Sequence, residues 1–135
     1  KLNGGMIVHG VPVPKSALDE LSCAGENYHR GFGTLSGHSG VLDLATAGLS
    51  ECDAEDLKGG SVNENVAMLF DFANNKGCEI KRGLRDSIYL NVAAGFLSVG
   101  KVSNLRDGVH LAKKIVKEGQ LLEWLKQVKA FYSDI

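Results

Sequence analysis

Residues 84–99 read LRDSIYLNVAAGFLSV, a segment that is apolar almost all the way around a helix. Its apolar residues include Ile88, Leu90, Val92, Ala93, Phe96 and Leu97. A helix that is apolar on nearly every side is typical of one buried inside a domain. We therefore predict a buried helix that begins at Leu84 or Arg85 and ends at Val99.

Further helices are predicted on either side of this segment. Ser61 and Glu64 form a capping box at the start of a helix over residues 62–75, where apolar residues recur every three or four positions. Asn104 begins a third helix, which Gly119 ends, and a last helix follows. The second part of the chain is therefore expected to contain about four helices.

The residues before the first helix have a different pattern. Residues 5–9, GMIVH, are a short apolar run closed by glycine and proline, which predicts a buried strand. Residues 24–40 are rich in glycine and lack a helical period, so we expect a hairpin or an irregular loop there. Residues 41–49 suit a strand or a buried turn. We predict one α/β domain with a strand-and-loop half, 1–60, and a helical half, 61–135.

The composition is that of an ordinary globular domain. The chain has 135 residues and a mass of 14.4 kDa, with 44% hydrophobic and 23% charged residues. Its 15 Lys and Arg residues against 16 Asp and Glu residues give a net charge of −1. This balance does not favour a nucleic acid or an anionic membrane as a partner. No apolar stretch approaches the roughly 18 residues of a membrane-spanning helix.

The cysteines are Cys23, Cys52 and Cys78, with no C-x-x-C motif and no histidine at zinc-finger spacing. This usage is typical of reduced thiols rather than of disulfides or a zinc site. We therefore expect a cytoplasmic protein.

Two adjacent carboxylates, Asp19 and Glu20, follow the predicted strand after a turn that contains two prolines. The region beyond a strand end is where open α/β sheets bind ligands. Mg²⁺ prefers oxygen ligands and commonly takes one or two carboxylates together with water and substrate phosphates. By spacing alone, the pair fits either a magnesium site or an ordinary solvent-exposed turn.

Other polar residues also have two interpretations. His9 and Gly10 end the predicted strand, where the histidine either reaches a ligand or is satisfied by the backbone. Gly59 and Gly60 precede the capped helix, where backbone amides either approach a phosphate or simply enter the helix. Asn91 lies in the middle of the apolar helix and must find a partner, for which we expect a structural hydrogen bond.

Several segments resemble, in the same order, the anthranilate phosphoribosyltransferase family. They are MIVHG at 6–10, ALDELS at 17–22, LKGGSVNENVA at 57–67, RDSIYLNVAAG at 85–95 and LRDGVHLA at 105–112. Together they cover nearly the whole chain and are more specific than any one of them alone. The turn between the first two segments, with its prolines, departs from the family pattern.

The resemblance implies transfer of a phosphoribosyl group from phosphoribosyl pyrophosphate to the amine of anthranilate in tryptophan biosynthesis. It implies Mg²⁺ as cofactor, and Asp19 and Glu20 match the family's metal-binding acidic pair. Substrate contacts are expected at His9 and Gly10 and at Gly59 and Gly60. The implied fold is the C-terminal portion of the large α/β domain of a nucleoside phosphorylase or phosphoribosyltransferase-like fold.

Several family features would lie before Lys1. These are the glycine-rich phosphate-binding loop, a lysine-histidine-glycine-asparagine stretch, the anthranilate-contacting arginine and the small helical domain that forms a homodimer. We therefore expect this chain to be the C-terminal part of the enzyme and to be inactive alone.

Two alternatives remain open from the sequence. A pyrimidine nucleoside phosphorylase-like enzyme would share the architecture, but that family does not rely on a di-magnesium acidic pair such as Asp19 and Glu20. A non-catalytic interaction module derived from the fold would use the helical half as a binding surface. Magnesium-dependent pyrophosphate chemistry would distinguish the transferase from the phosphorylase, whereas a native polypeptide that begins at Lys1 would indicate the interaction module.

Overall fold

The computed structural model describes residues 3–14, 16–75 and 80–133. Its sheet is antiparallel, with the strand order β1-β2-β3. The strands are β1 (Gly4–Val11), β2 (Glu26–Gly33) and β3 (Ser39–Val41). The helices are α1 (Val62–Ala73), α2 (Arg82–Ser98), α3 (Leu105–Lys117) and α4 (Gln120–Ser133). The described strands thus all precede the described α-helices, and β2 with β3 is the predicted hairpin.

The strand predicted over 5–9 is present, but the prediction that it is buried was wrong. Side chains alternate across a strand, so Met6 and Val8 pack against the core while Ile7 points away and is 66% exposed. Among the described residues, α2 packs against one face of β1, and Ile7 and His9 on the other face are exposed. The strand is therefore half-buried.

The region from 41 to 49 forms a buried turn rather than a longer strand. After β3, a single turn of 3₁₀-helix at Leu44–Ala47 begins at Asp43, whose side chain accepts a hydrogen bond from Ala45 N. Leu42, Leu44, Ala47 and Leu49 are buried in the core, and the residues between them are exposed. Arg106 of α3 donates to the Ala45 carbonyl at 2.9 Å, which ties this turn to the helices.

The helix predicted from Leu84 or Arg85 to Val99 is present as α2, although it begins earlier, at Arg82, and ends at Ser98. Leu90 and Ala93 are fully buried, whereas Val92 is 38% exposed. Helix α3 packs closely against α2 because Gly108 has no side chain. A Cβ atom at that position would lie 2.7 Å from the Cβ of Ala93. Glycine at this crossing therefore lets the two helices approach each other.

The capping box predicted for α1 is complete. Glu64 N donates to the Ser61 hydroxyl at 3.4 Å, and Ser61 N donates to the Glu64 carboxylate at 2.7 Å. The helix ends at Ala73 rather than at 75, because Asn74 caps it and Asn75 has a φ of 55°. The apolar periodicity located this helix correctly, although Val62 is 78% exposed.

Basic residues at the start of α2 have a structural use. Lys81 Nζ donates to the Glu55 carbonyl at 2.8 Å, and Arg82 Nη2 donates to the Glu51 carbonyl at 2.8 Å. These bonds fasten residues 51–57, which include a turn of 3₁₀-helix at Ala54–Leu57, to α2. Within the described ranges, no helix is both long and apolar enough to pass through a bilayer.

His29 on β2 gives stability a pH dependence. Its Nδ1 atom is buried without a hydrogen-bond partner, and burial together with nearby His38 lowers its pKa from the ordinary 6.5. The unfolded chain therefore binds a proton at His29 more readily than the folded chain does. The contribution of His29 to the free energy of unfolding is at its maximum above about pH 6.5 and decreases below that pH. We expect His29→Phe to flatten this slope in urea unfolding between about pH 7.5 and about pH 5.5. An equal slope in both proteins would contradict this role.

Candidate functional site

The acidic pair lies in residues 18–23, called here the acidic segment. This segment lies between the edge of β1 and helix α2 and contacts both. Gly10 N donates to the Leu18 carbonyl at 3.1 Å, and Leu18 N donates to the Gly10 carbonyl at 2.8 Å. This isolated bridge lies on the edge of β1 opposite β2. Asp19 and Glu20 therefore directly follow a residue that is held against the sheet.

Glycine is required at position 10 for this arrangement. Gly10 is buried, and a Cβ atom there would lie 2.6 Å from the Glu20 carbonyl oxygen. Real Cβ atoms essentially never approach so closely, and a backbone carbonyl cannot move as a flexible side chain can. The structure thus brings Gly10 and Glu20, two of the predicted site residues, into direct proximity.

Asn91 on α2 holds the backbone just after the acidic pair. Its Oδ1 accepts a hydrogen bond from Leu21 N at 3.0 Å, and its Nδ2 donates to the Leu21 carbonyl at 2.6 Å. The same amide group donates to the Ser87 carbonyl one turn earlier at 2.9 Å. The predicted structural role of Asn91 is confirmed, and its partner is the acidic segment itself.

The next two residues of the acidic segment are held in the same manner. Buried Asn27 of β2 accepts from Ser22 N at 2.8 Å and donates to the Ser22 carbonyl at 2.7 Å. Ser87 of α2 accepts from Cys23 N at 2.8 Å and donates to the Gly83 carbonyl. Three consecutive backbone groups therefore have side-chain partners on two different elements.

The sequence pattern did not indicate Asn27 or Ser87 as site residues. A serine near a helix start and an asparagine in a glycine-rich hairpin are common polar residues, and neither pattern indicates a distant backbone partner. Asn91 differed only because the residues around it are apolar, so its amide had to find a partner in the interior.

Both carboxylates of the acidic pair face solvent. Asp19 and Glu20 are exposed, and neither makes an ion pair or a hydrogen bond with another described residue. Their oxygens are hard donors of the kind that Mg²⁺ prefers. Among the described residues, no group of three or more His, Cys, Asp or Glu side chains could hold a metal by itself. The pair therefore fits a magnesium ion that takes its other ligands from water and substrate.

A cavity of about 290 Å³ lies beside the acidic segment, between it and α2. Glu20 and Asn91 belong to its polar wall, and Leu57, from the turn before α1, closes it on another side. The remaining lining residues are Leu18, Ser22, Leu84, Ser87, Ile88 and Val92. The cavity thus places Glu20 next to groups from the helical half of the chain.

The other predicted site residues lie around this cavity rather than on it. His9 is exposed on the outer face of the sheet, where its ring lies 6.3 Å from that of Tyr28. Gly59 and Gly60 follow Leu57 and are exposed; the Asn65 side chain accepts from Gly60 N at 2.8 Å. The structure therefore joins Gly10 to the acidic pair but places His9 on a different surface.

The cysteines near the site are poor nucleophiles. Burial raises the pKa of the Cys23 thiol to about 11, and burial also raises the pKa of Cys52. Both thiols are free, as predicted, and both are protonated at neutral pH. Cys78 lies outside the described residues. Among the described residues, the carboxylates rather than the thiols are the reactive candidates.

Comparison with known protein families shows which family the chain belongs to. The model of the glycosyl transferase family, a/b domain, matches residues 3–122. The chain belongs to this family. The match includes all three strands, the acidic pair and α1 to α3.

Two curated relatives that are similar to this chain in sequence are both named anthranilate phosphoribosyltransferase. The anthranilate phosphoribosyltransferase of Listeria innocua is 27% identical over 118 residues, which are 87% of this chain and 34% of that protein. The enzyme of the same name from Lactococcus lactis is 30% identical, over 86% of this chain and 33% of that protein. The chain thus spans about a third of the length of the curated relatives it matches.

Solved structures agree with these relatives. Anthranilate phosphoribosyltransferase from Thermus thermophilus matches 95% of this chain and 35% of its own, with 32% identity and a TM-score of 0.78. The Saccharomyces cerevisiae enzyme, solved with PRPP and Mg, covers 96% of this chain and 35% of its own at 20% identity, with a TM-score of 0.77. The resemblance and the α/β fold expected from the sequence are confirmed.

Proposed function

We propose that this glycosyl transferase domain is the C-terminal part of an anthranilate phosphoribosyltransferase. The observation that carries the proposal is the exposed acidic pair, which is held beside the end of β1 with both carboxylates unengaged by the described residues. The names of its relatives support the same assignment. The complete enzyme transfers phosphoribosyl from phosphoribosyl pyrophosphate to anthranilate and releases pyrophosphate.

Asp19 and Glu20 are proposed to hold Mg²⁺. Negative charge builds on the pyrophosphate oxygens as the bond to the sugar carbon breaks, and a bound magnesium ion offsets that charge. The two carboxylates supply part of the coordination, as is usual for Mg²⁺ with phosphate substrates. The Saccharomyces cerevisiae neighbour that contains PRPP and Mg supports this assignment.

The remaining candidate residues are proposed to bind substrate around the acidic pair. Gly10 lets the Glu20 backbone approach β1, and His9, the preceding residue of β1, is exposed on the outer face of the sheet. Gly59 and Gly60 offer an exposed backbone two residues beyond Leu57, which lines the cavity that Glu20 also lines. We further propose that the complete protein is a cytoplasmic homodimer whose dimer contacts lie outside this chain.

An assay of the full-length native polypeptide tests this function. Its intact mass is expected to exceed 14.4 kDa, and it should consume anthranilate and release pyrophosphate only when Mg²⁺ is supplied. The isolated 135-residue chain is expected to show no transfer. Phosphorolysis of pyrimidine nucleosides by the full-length polypeptide, or no transfer at saturating Mg²⁺, would overturn the proposal.

A further inference from the structure

We infer that Asn91 is a positioning residue that fixes the acidic pair for metal binding. This inference rests on the proposed function, because it takes Asp19 and Glu20 as the metal-binding residues. It adds a residue from α2, in the helical half of the chain, to a site that the sequence places between β1 and β2.

The acidic pair lies between two fixed points of the backbone. Leu18 exchanges two hydrogen bonds with Gly10 of β1, and Leu21 exchanges two with the side chain of Asn91. Leu21 is also fully buried, so both its side chain and its peptide groups are fixed. Only Asp19 and Glu20 lie between these points, and both are exposed.

This arrangement keeps the two carboxylates near each other before any ion arrives. A span of two residues with both ends fixed has few backbone conformations, so little further order is lost when a cation binds. Without the Asn91 bonds, Leu21 would keep only its buried side chain, and the nearest fixed peptide groups after Glu20 would be those of Ser22, which Asn27 holds. The carboxylates would then sample more arrangements, and the cation would bind less tightly.

Asn91 is better suited to this role than the other side chains that hold the acidic segment. Asn27 and Ser87 bond to Ser22 and Cys23, which lie farther from the pair. Asn91 contacts the residue immediately after Glu20 and also lines the cavity that Glu20 lines. Its donation to the Ser87 carbonyl fixes the orientation of its amide group.

The test compares Asn91→Leu and Asn91→Asp in the full-length polypeptide. Leucine is similar in size and suits an apolar helix, but it removes every hydrogen bond to Leu21. Aspartate removes the donor and adds a negative charge, which by electrostatics alone would strengthen cation binding. If Asn91 positions the carboxylates, both variants instead weaken Mn²⁺ binding by about tenfold, a difference of about 1.4 kcal/mol.

Binding is measured with Mn²⁺ alone, by electron paramagnetic resonance of the free ion, so that no turnover is needed. Hydrogen exchange of the Leu21 amide is measured in parallel and should accelerate in Asn91→Leu. Asn104→Ala is the control, because it removes the exposed cap of α3 away from the acidic segment. It should lower stability but leave Mn²⁺ binding unchanged.

The outcomes separate this inference from the proposed function. If Asp19→Asn and Glu20→Gln weaken Mn²⁺ binding while either Asn91 variant leaves it unchanged or tighter, Asn91 is not a positioning residue. If neither carboxylate variant affects Mn²⁺, the metal role fails, and the inference fails with it. Should Asn91→Leu not fold, Asn91→Asp decides the question.

Discussion

Asp19→Asn and Glu20→Gln in the full-length polypeptide are each expected to lower kcat/KM by about a hundredfold or more, the scale of losing one group that stabilises transition-state charge. Each replacement keeps the side-chain size but removes one negative charge from an exposed pair without partners among the described residues. The effect should be largest at low Mg²⁺, because the remaining carboxylate binds the ion less tightly. The half-saturating Mg²⁺ concentration, measured at saturating phosphoribosyl pyrophosphate, is therefore the decisive readout.

The matched control for these variants is Asp53→Asn. Asp53 is also exposed, and its side chain makes no capping hydrogen bond to the 3₁₀ turn that follows. The control changes the net charge by the same amount but should leave both kcat/KM and the Mg²⁺ requirement unchanged. An unaltered Mg²⁺ requirement in both Asp19→Asn and Glu20→Gln would refute the metal role, whatever happened to the rate.

Gly10→Val is expected to abolish measurable transfer and to lower the free energy of unfolding by about 1–3 kcal/mol, the usual cost of overpacking. The reason is steric, since a Cβ at position 10 would lie 2.6 Å from the Glu20 carbonyl. To make room, the acidic segment must leave the edge of β1, which breaks the bridge between Gly10 and Leu18. Urea unfolding and the transfer assay measure the two effects separately.

Gly37→Val is a suitable control for this substitution. Gly37 lies in the turn between β2 and β3, and a Cβ there would meet no atom within 4 Å. The control protein should retain its Mg²⁺ requirement and most of its stability. A Gly10→Val protein with the same activity and unfolding curve as this control would show that the acidic segment does not need its present position.

The helices could be predicted from sequence because their signals are local. The start of α1 follows from Ser61 and Glu64, which satisfy each other's backbone groups within a single turn. The burial of α2 follows from its nearly continuous apolar surface. By contrast, the exposure of Ile7 on β1 depends on which face of the sheet the helices cover, and no short stretch of sequence contains that information.

The candidate site was only partly accessible from sequence. Asp19 and Glu20 were noticed as two adjacent acids after a strand, but two adjacent acids are common on protein surfaces, and only the family resemblance favoured the metal-binding interpretation. The apolar neighbours of Asn91 indicated that its amide group needed a partner, but they did not indicate that this partner is the backbone of Leu21. The contribution of Ser87 was missed, since its hydroxyl meets the amide of Cys23 across 64 residues of chain. Contacts of that range are set by packing rather than by local pattern.

The bond between Asn91 and Leu21 also sets the order of events during synthesis. Its two residues are 70 positions apart, so the loop between them must close before the acidic segment is held. A growing chain that has not yet delivered α2 contains the acidic pair but not the amide group that fixes it. The site therefore cannot be completed until α2 has been synthesised and has docked, whereas the pairing of β1 with β2 needs no residue beyond Gly33.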